Sequence, residues 1–167
     1  MDKFTAIIFL AIIFSVLIKL FYIFSLDFIL ALHDTSMEPT IGRDQLFLVT
    51  KVPCLEKLSR GDIIVYYSEN PNDKGLSTKR LIGVGGDRIK IIEGVIYLNG
   101  EIYEEPYVGQ NSKETYFSGQ EFEVPKGKLF LLRDNRTIPE TNKFWFNPYV
   151  SLEEVVGKVR VIYKEKK

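Results

Sequence analysis

The chain has 167 residues, room for one modest domain plus an anchor or tail. Its 22 Lys and Arg balance 22 Asp and Glu, so the basic surplus that a nucleic-acid partner usually needs is missing. The single cysteine, Cys54, excludes an internal disulfide; with no Cys or His companions at ligand spacing it reads as a buried or idle thiol, and neither metal nor cofactor is expected.

The first predicted element is apolar. Residues 4–18, FTAIIFLAIIFSVLI, carry no charge; Lys19 interrupts, and LFYIFSL continues to Asp27. A bilayer core of about 30 Å takes about 20 helical residues, a length that residues 4–24 reach with Lys19 inside the span. At about 1.5 Å per residue Lys19 falls in the far third, where its stem can snorkel to the headgroups. A cleaved signal peptide is one alternative, but Ser25-Leu26-Asp27 and Ala31-Leu32-His33 are poor cleavage sites. A buried soluble helix is another, and it needs a surrounding partner surface that a small domain supplies poorly. The reading is a retained membrane anchor over 1–26, with lipid as a partner, and a second unit over 27–167. On the positive-inside rule Lys3, beside Asp2, is a small bias toward a cytoplasmic N-terminus.

Past the anchor the pattern is β. Segments 45–51 (QLFLVTK), 62–67 (DIIVYY) and 77–84 (STKRLIGV) are short, rich in β-branched and aromatic residues, and bounded by turn formers. Segment 88–103 reads as two or three strands turning at Glu93-Gly94 and Asn99-Gly100, and Asn-Gly is the strongest short hairpin signal. Segment 121–134 bends at Lys126-Gly127, and 155–163 is a closing strand. Ser151 with Glu154 three residues on is a capping-box pattern for one helical turn. The polar stretch 109–119 reads as a loop. GVGG (83–86) resembles a phosphate loop, but the chain continues as strand, so a sharp turn is the reading. FWFNPY (144–149) fits core and interfacial membrane patch equally. The fold class is therefore mainly β: one antiparallel β-sheet domain, coiled or sandwiched, behind one N-terminal transmembrane helix.

Candidate chemistry begins at HDTSMEPTI (33–41), where Ser36 stands on a turn. A Ser-His-Asp arrangement needs a histidine that reaches the serine. The chain has one, His33, three residues earlier, and odd separations on an extended chain point to opposite faces. A nucleophilic Ser36 would therefore use another base, and lysine is the known substitute. That lysine must be neutral, which demands a water-poor site. Lys79, in STKRLIGVGGD (77–87), enters an apolar strand beside Leu81 and Ile82. Its alternative is a solvated place on the strand's polar face. SMEPT (36–40) has an alternative too, since Thr35 and Glu38 fit a capping box that merely begins a helical turn.

Taken in order, the anchor, SMEPT, KRLIGVGGD, VIYLNG, EEPY and VPKGKLFLLRDNR closely resemble the type I signal peptidase family over essentially the whole chain, in its compact single-anchor Gram-positive form. The resemblance implies serine/lysine endopeptidase activity with Ser36 as nucleophile and Lys79 as general base. It implies a coiled β domain outside the membrane and a single-pass cell-membrane protein with a cytoplasmic N-terminus. The implied partners are signal peptides of exported pre-proteins, cut after small side chains one and three positions before the scissile bond. The substrate would run extended beside a strand edge near Ser36, with Met37, Pro39, Leu81 and Ile82 as candidate substrate-binding residues. The Glu38-Pro39 step would fix the turn that exposes the serine hydroxyl. The oxyanion hole would use the backbone N–H of Ser36, with the second donor falling at Asp34. Arg80, Asp134, Asn135 and Arg136 are supporting residues.

The chain departs from the family pattern at 133–143, RDNRTIPETNK. Arg133 replaces a glycine, and Pro139 falls where the family has the hydroxyl that orients the lysine. Thr141 falls on the following aspartate and Lys143 on an arginine. Thr137, Thr141 or Thr78 are candidates to supply the missing hydroxyl. Divergent relatives of this family occur beside Gram-positive pilus genes, so a dedicated role with pilin subunits is compatible. The alternative function is a non-catalytic chaperone or assembly factor of the same fold for secreted surface proteins. Retention of Ser36 and Lys79 favours the enzyme.

Overall fold

The computed structural model describes residues 3–32, 35–52, 54–68, 75–109, 119–137 and 147–163. Helix α1 (Lys3–Leu26) is 24 residues long, with no glycine or proline to interrupt it. Its side chains from Ile7 to Leu20 are exposed. Among the described residues no helix is long and apolar enough to cross a membrane. The span expected from the sequence is therefore not established by the structure.

Among the described residues eleven strands follow. They are β1 (Asp27–Ala31), β2 (Leu46–Thr50), β3 (Ile63–Ser68), β4 (Gly75–Val84), β5 (Arg88–Ile92), β6 (Val95–Leu98), β7 (Glu101–Tyr103), β8 (Glu121–Glu123), β9 (Lys128–Leu132), β10 (Tyr149–Ser151) and β11 (Val155–Ile162). Seven form one sheet in the order β1-β2-β11-β3-β4-β9-β10, and four form another in the order β7-β6-β5-β8. All pairings are antiparallel, which gives the mainly β architecture expected from the strand pattern. Asn99 and Gly100 have φ of 54° and 91°, the positive pair that a tight two-residue hairpin requires.

Two strands lie outside the sequence expectation. β1 follows α1 with no linker, and the apolar run continues across the junction, so hydrophobicity does not mark it. The switch to strand is made by pairing with β2, Asp27 to Thr50 through Ala31 to Leu46. β10 pairs with β9, and Tyr149 sets its ring edge-on to Phe130 with centroids 6.0 Å apart. That end of FWFNPY is therefore core, while 144–146 lie outside the described residues, as does most of the expected 109–119 loop. After β10 the chain makes one 3-10 turn, Leu152–Glu154, and the Glu154 carboxylate accepts the Ser151 backbone N–H at 2.7 Å. GVGG forms a turn, with Gly86 at φ 97°.

Three apolar cores stabilise the sheets. One packs Ile64, Tyr66, Leu81 and Leu131. A second, between the sheets, packs Ile82, Ile89, Ile96 and Phe130. A third packs Met37, Ile41, Phe47, Val49 and Val65. Strand β4 is buried on both faces from Ser77 to Gly83, and this doubly covered strand carries Lys79.

Candidate active site

The serine turn is pinned from below. Met37 is 2% exposed in the third core, and its carbonyl accepts the Ile41 N–H at 2.9 Å. The Glu38-Pro39 peptide is cis. Ser36 is 3% exposed, not presented to solvent as the turn chemistry suggested. Its hydroxyl donates to the Thr78 carbonyl of β4 at 3.2 Å. The burial has a cause in a remote segment. The Asn135 backbone N–H donates to the Ser36 carbonyl at 2.9 Å, and its side-chain amide donates to the Thr35 carbonyl at 3.1 Å.

Thr78 is the residue before Lys79, so this hydrogen bond places the serine hydroxyl against the lysine's own strand. Lys79 is 6% exposed, and the solvated-face alternative does not hold. The residue pairs with Ile64 and shares a face of β4 with Ser77 and Leu81. Its side-chain nitrogen lies 6.0 Å from the Tyr66 ring centroid. Tyr66 escaped the sequence reading; only the β3–β4 register, which sets Tyr66 opposite Ser77, brings it here. The other expected wall residues separate. Leu81 lies in the first core, Ile82 in the second and Met37 in the third. Pro39 is exposed.

Asp134, Asn135 and Arg136 each do a different job. Asp134 is fully buried and takes Arg80 in a two-pronged pair, from Nε at 2.8 Å and from Nη2 at 2.5 Å. It also accepts the Thr40 hydroxyl at 2.5 Å, which ties the serine turn to the same carboxylate. Asn135 holds Thr35 and Ser36 as above. Arg136 donates to Glu105 at 2.5 Å and to the Arg133 carbonyl. Arg80 also donates to the Gly61 carbonyl at 2.7 Å, and its guanidinium carbon lies 3.7 Å from the Tyr107 ring centroid. Burial opposes the charge on Arg80, but the hydrogen bonds and negative charge of Asp134 outweigh it and raise the guanidinium above its ordinary value. Burial and the neighbouring Glu105 push the Tyr107 phenol far above its ordinary range.

Two of the three candidate hydroxyls, those of Thr137 and Thr78, lie among the described residues. Thr137 donates its hydroxyl to the Asn135 side chain at 2.6 Å, so it serves the turn that carries Asn135. Thr78 alternates away from Lys79 on the strand. Thr141, Pro139, Lys143, His33 and Asp34 lie outside the described residues, and so does any second oxyanion donor at Asp34. Among the described residues no group of acidic, histidine or cysteine side chains could hold a metal ion.

The serine hydroxyl thus lies on the strand that carries the buried Lys79. Comparison with known proteins identifies the family. The model of the family described as signal peptidase, peptidase S26, matches residues 1–164, and the chain belongs to that family. It is 34% identical over 112 residues to a signal peptidase I of Bacillus licheniformis, covering 62% of this chain and 59% of that one. It is 30% identical over 141 residues to signal peptidase IB of Staphylococcus aureus, covering 74% of this chain and 71% of the other. A crystal structure of a signal peptidase I from Enterococcus faecalis is 28% identical, with a TM-score of 0.48, covering 62% of this chain and 97% of that one.

Proposed function

We propose that the chain is a membrane-anchored serine endopeptidase that removes signal peptides from exported pre-proteins, with Ser36 as nucleophile and Lys79 as general base. The observation that carries this reading is the Ser36 hydroxyl seated on β4 at Thr78, one residue from a lysine that is 6% exposed. In the proposed reaction the neutral Lys79 amine takes the Ser36 proton as the oxygen attacks the scissile carbonyl carbon. The ammonium then gives that proton to the departing amine, leaving an acyl ester on Ser36. Water, deprotonated by the same amine, hydrolyses the ester and restores the serine. The Ser36 backbone N–H and the backbone at Asp34 are the proposed oxyanion donors.

The substrate is proposed to lie extended along β4. Residues 75–79 pair with β3 on one side, while β9 takes up the other side only from Arg80 onward. Among the described residues no strand pairs with that second side of 75–79, and this is where the substrate's main chain is proposed to bind. The uncharged apolar run 4–18 is what supports a single anchor. Residues 1–3 are then cytoplasmic and the β domain lies outside, where signal peptides emerge. A narrow substrate set such as pilin subunits is the finer form of this proposal.

A second reading is the non-catalytic assembly factor. It is favoured by Pro139 at the orienting position and by the commitment of the Thr137 hydroxyl to Asn135. Pre-protein cleavage by wild type and Ser36→Ala separates the two. Loss of cleavage in the variant is expected, and equal processing by both proteins removes the enzyme. Protease added to intact protoplasts should reach the β domain; protection until lysis removes the orientation.

A further inference from the structure

We infer that Glu105 and Tyr107, on the stretch that follows β7, are positioning residues for the Ser36–Lys79 pair, acting as a clamp on Arg80 and Arg136. The inference rests on the serine–lysine reading above and adds to it a part of the molecule that belongs to the other sheet.

Three observations carry it. Glu105 accepts Arg136 at 2.5 Å and the Tyr107 hydroxyl at 2.9 Å on the same oxygen. The Arg136 and Glu105 side chains are 6% and 9% exposed, so each charge depends on the other for its solvation. The Tyr107 ring lies 3.7 Å from the Arg80 guanidinium carbon. The donors of Arg80 in its own plane are directed to Asp134 and to the Gly61 carbonyl. The plane itself is held by the ring, a cation–π contact at short range.

The clamp reaches both reacting side chains through covalent neighbours. Arg80 follows Lys79 on β4, so fixing the guanidinium fixes the strand's path at the lysine. Arg136 follows Asn135, whose N–H and amide hold the Ser36 and Thr35 carbonyls. Asp134, beside them, holds Arg80 and the Thr40 hydroxyl at once. The lysine strand, the serine turn and the 134–136 segment are thus three separate stretches of chain. Glu105 and Tyr107 are the common element that touches two of them from outside. Glu105 and Tyr107 act through Arg136 and Arg80, which makes them positioning residues and not catalytic ones. A small displacement of a reacting group is enough to cost about a hundredfold in rate.

The test uses the full chain in detergent or vesicles with a signal-peptide substrate, and three variants. Tyr107→Ala is expected to lower kcat by about tenfold or more with KM within about threefold. Tyr107→Phe keeps the ring and is expected to recover most of that loss. Glu105→Gln keeps the shape, removes the charge, and is expected to lower kcat alone. Thermal melts establish that each variant is folded. Amide hydrogen exchange gives a readout independent of turnover: the Asn135 amide, bonded to Ser36, is expected to exchange faster in Tyr107→Ala. A folded Tyr107→Ala with wild-type kcat, or with lowered kcat but unchanged exchange at Asn135, overturns the clamp. So does a rise in KM at constant kcat, since that marks a substrate contact. If instead Ser36→Ala cleaves like wild type, the serine–lysine reading fails, and the exchange measurement still decides whether the clamp sets the turn.

Discussion

Strands β4 and β5 are joined by one turn, and each carries a lysine and an arginine. On β5, Arg88 and Lys90 face solvent while Ile89 and Ile91 are buried, the alternation of a sheet with one wet face. On β4, Lys79 and Arg80 are 6% and 8% exposed, because β4 is interior to its sheet and covered on both faces. The consequence shows in their partners. Arg88 meets Glu123 at 4.0 Å with side chains 71% and 74% exposed, whereas Arg80 meets Asp134 at 2.5 Å with 9% and 0%. The first pair is of the kind worth little in water; the second cannot lose a member without stranding a buried charge. Layering, not residue type, decides which cations can do chemistry.

The comparison breaks first at the lysines. Lys79→Arg should be as inactive as Lys79→Ala, with kcat on a signal-peptide substrate down by at least about a thousandfold. Arginine keeps the charge but does not give up its proton. Lys90→Arg on β5 should leave turnover unchanged. Retained activity in Lys79→Arg would mean that the lysine serves as a cation, and the serine–lysine mechanism would be abandoned.

The arginines come next. Asp134→Asn should cost about 3–5 kcal/mol in denaturant melts by leaving Arg80 uncompensated. A cost under about 1 kcal/mol would place the pair with exposed ones. The turn between the two strands offers a pH test. The Asp87 carboxylate accepts the Val84 N–H, the Asn99 amide and Arg60. Burial pushes its pKa up, and these donors outweigh burial and hold it below its ordinary value. A lowered folded pKa contributes stability above the unfolded value of about 3.9 and loses it as pH falls through the folded value. Wild type and Asp87→Asn should therefore differ most near neutrality and converge below about pH 4; a constant gap across that window would assign Asp87 a role unrelated to its charge. The smallest effect is expected for Glu123→Gln on β8, the partner of Arg88 on β5, within about 0.5 kcal/mol of wild type.

Much of the fold was legible because turn chemistry is local. Asn99-Gly100 and Glu93-Gly94 announce hairpins whatever surrounds them, and Ser151 with Glu154 announces one turn of helix. β1 was not legible, since its apolar residues run on from α1 and only pairing with β2 makes them a strand. The site divided in the same way. Ser36 and Lys79 stand in short motifs, and their family resemblance is readable in order. The partners that bury them are separated by long stretches of chain: Asn135 from Ser36, Asp134 and Tyr107 from Arg80, Tyr66 from Lys79. The EEPY and DNR motifs were visible, but nothing local says that Glu105 of one binds Arg136 of the other. Once β4 is known to be covered on both faces, its two cations require buried partners, and that is the signal that would have found them.

The missing linker between Leu26 and Asp27 turns the serine into a leash problem. Ser36 is ten residues beyond the end of α1, and ten residues reach about 35 Å at most when fully extended. β1, locked to β2, already commits about 17 Å of that reach in one direction. For an anchored chain, a cleavable bond held outside this radius is refused by distance alone, whatever residues flank it. An anchored peptidase of this shape would measure where it cuts as well as what it cuts. A deletion of one residue within β1 would not simply shorten the leash, because it would turn every later side chain of the strand to the opposite face.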